Sequence, residues 1–223
     1  KVKIMISVFD MFSIGIGPSS SHTVGPMKAA KLFVDALVKQ DLLNNVDRAR
    51  CELFGSLGQT GIGHGTGKAV ILGFSGQTPE NIPVESIESI LADVVSSQKI
   101  SLNGTHEVNF PKDDAIIYHR KKTLPAHSNA MTLYAYQGDT LILEQTYYSI
   151  GGGFIVEDCD FEKEKDKALS LHTNINPPHV FTTGDKLLQE AKEHGLSIST
   201  IMMNNEKCLN DEATIRTKLI EIW

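Results

Sequence analysis

The apolar positions change period repeatedly along the chain, and each change marks an element. Met27, Ala30, Val34, Leu37 and Val38 recur at three- and four-residue spacing, with Lys28, Lys31, Asp35 and Lys39 between them. That spacing predicts an amphipathic helix from Val24 to about Leu43. Over Asp47 to Phe54 the period becomes two, with Ala49, Cys51 and Leu53 alternating against Arg48, Arg50 and Glu52, as in a strand with one buried face. Gly58, Gly61, Gly63, Gly65 and Gly67 then read as a glycine-rich turn around His64 and Thr66, followed by a buried helix over Lys68 to Phe74. Val84, Ile87, Ile90, Leu91, Val94 and Val95 mark a second amphipathic helix.

After Gly104 the pattern turns β-branched and aromatic, over Val108 to Phe110, Ala115 to Tyr118, Met131 to Tyr136 and Thr140 to Tyr147. With Gln137-Gly138-Asp139 as a hairpin turn, this predicts an antiparallel meander that ends in Gly151-Gly152-Gly153. The mixed-sign run Glu162 to Lys167 and the Pro/Asn-rich stretch after it read as a linker over residues 158–180. Beyond it Thr182 or Thr183 caps a helix that Gly195 closes, and two further helical segments cover Ser197 to Asn205 and Asn210 to Trp223. The chain stops inside a helical pattern, with Leu187, Ile215, Leu219 and Trp223 on an unmatched apolar face, as a fragment or first half would. Near the start, Ile6 to Phe9 is a short apolar stretch of strand or helical turn. The expected fold class is α/β (α+β): a mixed sheet with an antiparallel meander and packed helices over residues 1–157, then the first helices of an all-helical domain over 181–223.

Composition narrows the function classes. A net charge of -6, and no basic run longer than Arg120-Lys121-Lys122, argue against a nucleic-acid surface. No stretch approaches the roughly 18 apolar residues of a membrane span, and the start Lys1-Val2-Lys3-Ile4 lacks a signal-peptide core, so a cytoplasmic protein is expected. Cys51, Cys159 and Cys208 are far apart, which suggests neither a disulfide framework nor a metal knuckle.

Candidate chemistry gathers at three places. Ser19-Ser20-Ser21-His22-Thr23 lies between Gly17-Pro18 and Gly25-Pro26, directly ahead of the first long helix. One hydroxyl suffices for a cap, so this excess reads as a site where free backbone N–H groups and the helix dipole hold a carboxylate or phosphate. His64, between Gly63 and Gly65 and followed by Thr66, leaves ring and backbone open to a ligand and offers a base near neutral pH. His127-Ser128-Asn129 precedes the third meander strand, and the backbone around Ser149 and Gly152 is rich in N–H groups that suit a carboxylate. His119, His172, His179 and His194 are expected at the surface. The glycines fit neither a phosphate loop nor a dinucleotide fingerprint, because Ile62 and Ala69 occupy the decisive positions and a third glycine is missing.

Taken together, Ser7-Val8-Phe9-Asp10-Met11-Phe12, the run Gly15 to Met27, Gly55-Ser56-Leu57, Gly63-His64-Gly65-Thr66 and Tyr147 to Phe154 resemble the bacterial iron-sulfur L-serine dehydratases. The likeness is in order over the first roughly 155 residues, which are also similar to a substrate-sensing domain of some phosphoglycerate dehydrogenases. The resemblance implies a lyase that turns L-serine into pyruvate and ammonia with a [4Fe-4S] cluster and no pyridoxal phosphate. It implies cluster ligands on a helical catalytic half outside this chain, and a homodimer. By this reading His64 is the base and His127 the second choice, while Ser19, Ser20, Ser21, Thr23 and Asn129 orient serine and His22 anchors the loop or the carboxylate. Gly65, Thr66, Ser149 and Gly152 complete the expected substrate contacts. Two alternatives are a non-catalytic module that senses a small amino or hydroxy acid, and a pyridoxal-phosphate enzyme, which would need Lys28 or Lys68 as its Schiff-base lysine.

Overall fold

The computed structural model describes residues 7–12, 14–161 and 175–223, so most of the expected linker, and His172 with it, lies outside the described residues. The chain divides into two compact units, one of residues 14–165 and the other of 1–13 with 166–223.

In the first unit a seven-stranded mixed sheet carries helices on one face. Its elements are α2 (Val24–Lys39), β1 (Arg48–Phe54), α3 (Gly55–His64), α4 (Thr66–Phe74), α5 (Ile87–Ser97), β2 (Lys99–Leu102), β3 (His106–Asn109), β4 (Ile116–Tyr118), β5 (Asn129–Gln137), β6 (Thr140–Gly151) and β7 (Phe154–Glu157). The strand order is β2-β3-β1-β5-β6-β7, with β4 also paired to β1. Alternation works along β1 as the sequence predicts: Ala49, Cys51 and Leu53 are fully buried under α2 and α4, while Arg48 and Arg50 turn to the opposite face beside Asp114. From α2, Ala29, Ala30, Phe33, Val34 and Leu37 enter the core, whereas Val38 stays exposed.

The meander needs correction. Only β5, β6 and β7 form one; β3 and β4 lie parallel to β1, successively along the same edge. Two strands escape the sequence pattern, β2 and β7, each four residues long. A second correction concerns the glycine-rich turn expected around His64. Residues 55–64 are helical, entered through Gly55 at φ 55° and closed by Gly65 in the left-handed conformation at φ 76°, and α4 begins directly after it. Helix interiors disfavour glycine by roughly 0.5–1 kcal/mol relative to alanine, so tertiary contact must hold α3 in place. Leu57 is fully buried, Ser56 N donates to Ser128 O at 2.8 Å, and a Cβ on Gly58 would overlap the carbonyl of His119 and press on that of Leu53. Glycine is therefore the condition for laying this helix across the strand ends.

The second unit holds α1 (Val8–Met11), α6 (Gly184–His194), α7 (Ile198–Glu206) and α8 (Glu212–Ile222). Each of the last three begins on a side-chain cap: Thr183, Ser197 and Asp211 accept from the backbone N–H three residues on. Gly195 closes α6 in the left-handed conformation at φ 61°. The start of α1 is held by the Glu206 carboxylate, which accepts from Ser7 Oγ at 2.8 Å and from Val8 N at 2.7 Å. Ile215, expected on the unmatched apolar face, is buried, while Trp223 and Ile220 are exposed and Leu187 is half-buried. No helix among the described residues is long and apolar enough to cross a membrane.

Candidate active site

Two histidines meet where α2 begins and α3 ends. The rings of His22 and His64 lie 4.6 Å apart, tilted by 37°. His22 is buried and ringed by hydroxyl groups: Nδ1 is 3.0 Å from Ser21 Oγ and 3.4 Å from Ser19 Oγ, and Nε2 is 3.1 Å from both Ser56 Oγ and Thr60 Oγ1. Its backbone carbonyl accepts from Thr66 Oγ1 at 2.8 Å, so the buried Thr66 supports it from behind. Gly65 is the corner between α3 and α4 that brings Thr66 there.

The helix-start expectation changes in one respect. Thr23 Oγ1 donates back to Ser19 O at 2.8 Å rather than capping α2. The amides of Gly25 and Met27 bond to the carbonyls of Ser20 and Thr23, and Pro26 has no N–H to give. The amides of His22 and Thr23 likewise bond to the Ser19 carbonyl, so these four N–H groups are engaged within the turn itself. The hydroxyls of Ser19 and Ser21 face His22 instead.

His64 is half-buried at the end of α3, and its Nδ1 lies 3.0 Å from the Thr60 carbonyl oxygen. A carbonyl can only accept, so in the neutral ring the proton sits on Nδ1 and Nε2 carries the lone pair. Burial lowers the pKa of His22 first, the neighbouring His64 lowers it further, and the Ser56 contact opposes both. His22 thus favours neutral imidazole.

Stability should respond to pH accordingly. An unfolded histidine takes up its proton near pH 6.5, while folded His22 resists it, so below that pH the unfolded state binds more protons and stability falls as pH is lowered. Thermal unfolding followed from about pH 7 to 5 should lose midpoint more steeply in the wild-type chain than in His22→Asn. Equal slopes would mean that His22 takes up its proton as readily folded as unfolded.

The remaining sequence candidates form a neighbouring group. Asn129 Nδ2 donates to Ser149 O at 3.1 Å, His127 Nδ1 accepts from Asn129 N at 3.1 Å, and Ser128 O receives Ser56 N. Ser149 is buried against the first turn of α2, so closely that a Cβ on Gly25 would collide with its Oγ. That Oγ finds no hydrogen-bond partner among the described residues. Gly152 lies in the turn between β6 and β7, three residues beyond Ser149, at φ 60°. His119 is not a surface residue: it stacks on Phe54 at 4.7 Å and bonds Glu52 through Nε2 at 2.7 Å. His179 is buried as well, at 7 % exposure.

Ser56 and Thr60 are site residues that sequence reasoning missed. With His64 they form an i, i+4, i+8 row on one face of α3, a signal hidden by reading the glycines as a turn. The 240 Å³ cleft lined by Lys68, Ile71, Val94, Phe110 and Tyr118 contains none of these residues, so it is separate from the histidine pair.

Comparison with known proteins places this geometry in context. Residues 7–160 match the model of the serine dehydratase beta chain. Over 219 residues, 98% of the chain, the sequence is 51% identical to an L-serine dehydratase of Streptomyces coelicolor, covering 47% of that protein. It is 43% identical to L-serine dehydratase 1 of Escherichia coli and 34% identical to an L-serine dehydratase of Helicobacter pylori, covering 47% and 44% of those proteins. The chain spans about half the length of the curated relatives it matches.

Proposed function

The chain belongs to the serine dehydratase beta-chain family, and from that premise we propose that it supplies the proton-abstracting side of an L-serine dehydratase, converting L-serine to pyruvate and ammonia. The observation that carries the reading is the Nδ1 contact of His64 to the Thr60 carbonyl, which leaves Nε2 as the basic atom beside a second histidine that burial keeps neutral. In this reading Nε2 of His64 takes the α-proton of serine, and the electron pair released at Cα forms the Cα–Cβ double bond as the β-hydroxyl leaves. The aminoacrylate so formed tautomerises to an imine, which water hydrolyses to pyruvate and ammonia. Ser19, Ser21, Ser56 and Thr60 hold the His22 ring against His64, and His127 and Asn129 border the same region. The unpartnered Ser149 Oγ suits a polar group of the substrate, since a buried hydroxyl without a partner is costly.

The cysteines of this chain do not fit an iron-sulfur cluster. Cys51 is fully buried in the apolar core, where desolvation and Glu52 push its thiol far up and disfavour the thiolate a cluster needs. Cys159 and Cys208 are exposed and lie in different units. A [4Fe-4S] cluster therefore belongs, in this proposal, to a helical catalytic half beyond these 223 residues, together with the homodimer that the resemblance implies. No step above runs through it. The half-exposed position of His64 supports such an arrangement, because a second surface is needed to exclude water from the base.

The division of labour is tested on the chain alone, reconstituted anaerobically with iron and sulfide and supplied with L-serine. It should hold no stoichiometric iron and release no pyruvate, whereas the complete enzyme does both. Pyruvate from the chain by itself would overturn the assignment, and serine binding by a complete enzyme that releases no pyruvate would favour the sensing module.

A further inference from the structure

A second histidine group lies in the other unit. His179, Glu190 and His194 bring one ligand atom each within 4.8 Å of one another. We propose that these three side chains bind a divalent late first-row transition-metal ion, with zinc as the type case.

The geometry is close to what such an ion requires. Nδ1 of His179 is 3.2 Å and Nδ1 of His194 is 3.6 Å from the same Glu190 oxygen, Oε2. His194 Nδ1 also lies 3.0 Å from the Glu190 backbone carbonyl, a contact that it gives up, with its proton, on taking an ion. Four ligands at the usual 2.0–2.1 Å from zinc in a tetrahedron stand about 3.3 Å from each other. The two carboxylate–imidazole separations match that spacing to a few tenths of an ångström, and the two ring nitrogens, within 4.8 Å of each other, close by about 1.5 Å through side-chain rotation when an ion is seated between them. Glu190 and His194 are four residues apart in the last turns of α6, so they project from one helix face. His179 reaches them from the segment before the helix, its ring edge-on to that of His194 at 5.0 Å.

Two asparagines of α7 provide the outer support that metal-binding histidines require. Asn205 clamps the backbone of His179 in both directions, Oδ1 accepting from His179 N at 3.0 Å and Nδ2 donating to His179 O at 2.8 Å. The Asn204 amide lies 3.4 Å from His179 Nε2. When Nδ1 ligates an ion, Nε2 carries the ring proton, and a half-turn of that amide presents Oδ1 to accept it. A lone structural salt bridge would need one histidine for Glu190. Here a single carboxylate oxygen faces two, one of them buried.

Two imidazoles and one carboxylate select zinc-class ions over magnesium and calcium, which prefer all-oxygen sites. His194 is half exposed, so the fourth position opens to water. A bound ion would staple the segment before α6 to that helix's last turn and stabilise the folded chain by mass action.

The test uses the chain stripped with chelator and titrated with Zn²⁺ against a chromophoric competitor, with Co²⁺ absorption reporting geometry. One equivalent should bind with a tetrahedral Co²⁺ band, and the unfolding temperature should rise. His194→Ala and Glu190→Gln, both on an accessible face and checked by circular dichroism, should each weaken Zn²⁺ by about 100-fold or more, with Asn204→Ala giving a smaller loss of about 10-fold, the low end for outer-shell partners. Cys159→Ser/Cys208→Ser should bind as the wild type does, because exposed thiols are the competing explanation for zinc uptake. Failure of Zn²⁺ to compete, uptake undiminished in the two ligand variants, or uptake abolished in the cysteine variant would each overturn the site.

Discussion

In the complete enzyme, His64→Asn is expected to lower turnover of L-serine by about 10²- to 10⁴-fold, the range that a positioned general base contributes. Asparagine is the informative replacement because its Nδ2 can still donate to the Thr60 carbonyl that holds His64 in place, yet it cannot accept a proton from carbon. Substrate binding should change far less than turnover, since the lost interaction forms as the proton moves. The acid limb of the pH profile should vanish with the ring, because only neutral imidazole acts as base. A variant that keeps near-normal turnover would remove His64 from the proposed role and leave His127 as the candidate to test.

The largest effect on stability is expected from Phe33→Ala. Phe33 is fully buried on α2, packs edge-to-face on Phe74 at 6.0 Å, and Phe74 packs in the same manner on Phe110 at 5.9 Å. Truncation to alanine removes the contact that joins α2 to α4 and leaves a hole, at a cost of about 3–5 kcal/mol. At roughly 2–4 °C per kcal/mol for a chain of this size, the unfolding midpoint should fall by roughly 6–20 °C. A loss under about 1 kcal/mol would mean that the neighbouring side chains collapse into the space.

The elements that the sequence discloses are those whose pattern is local. Met27, Ala30, Val34 and Leu37 announce α2, the alternation through Leu53 announces β1, and Thr183 with Gly195 brackets α6. What stays hidden depends on partners far along the chain. The parallel pairing of β3 and β4 with β1 is set by crossovers that no local period records, and four-residue strands such as β2 and β7 are too short for alternation to stand out. The site divides in the same way. Ser19 to Thr23 and His64 stand out by residue type, but their meeting across α3 does not, because glycine's weak helix propensity argues against the very helix that the carbonyls of Leu53 and His119 admit. His179 and His194 look like ordinary surface residues in the sequence. Only folding shows them sharing one carboxylate.

The row Ser56, Thr60 and His64 on α3 also makes chain length a fixed quantity in this part of the molecule. Successive residues of a helix turn by about 100° and climb about 1.5 Å, so one residue inserted between Ser56 and His64 would swing the imidazole off the face it shares with the two hydroxyls. One residue removed would swing it the other way. Substitutions along α3 can be absorbed one side chain at a time, but an insertion or deletion breaks the alignment of His22, Thr60 and His64 in a single event. The segment from Ser56 to His64 thus behaves as a ruler, and lineages that vary its side chains are expected to hold its count of residues constant.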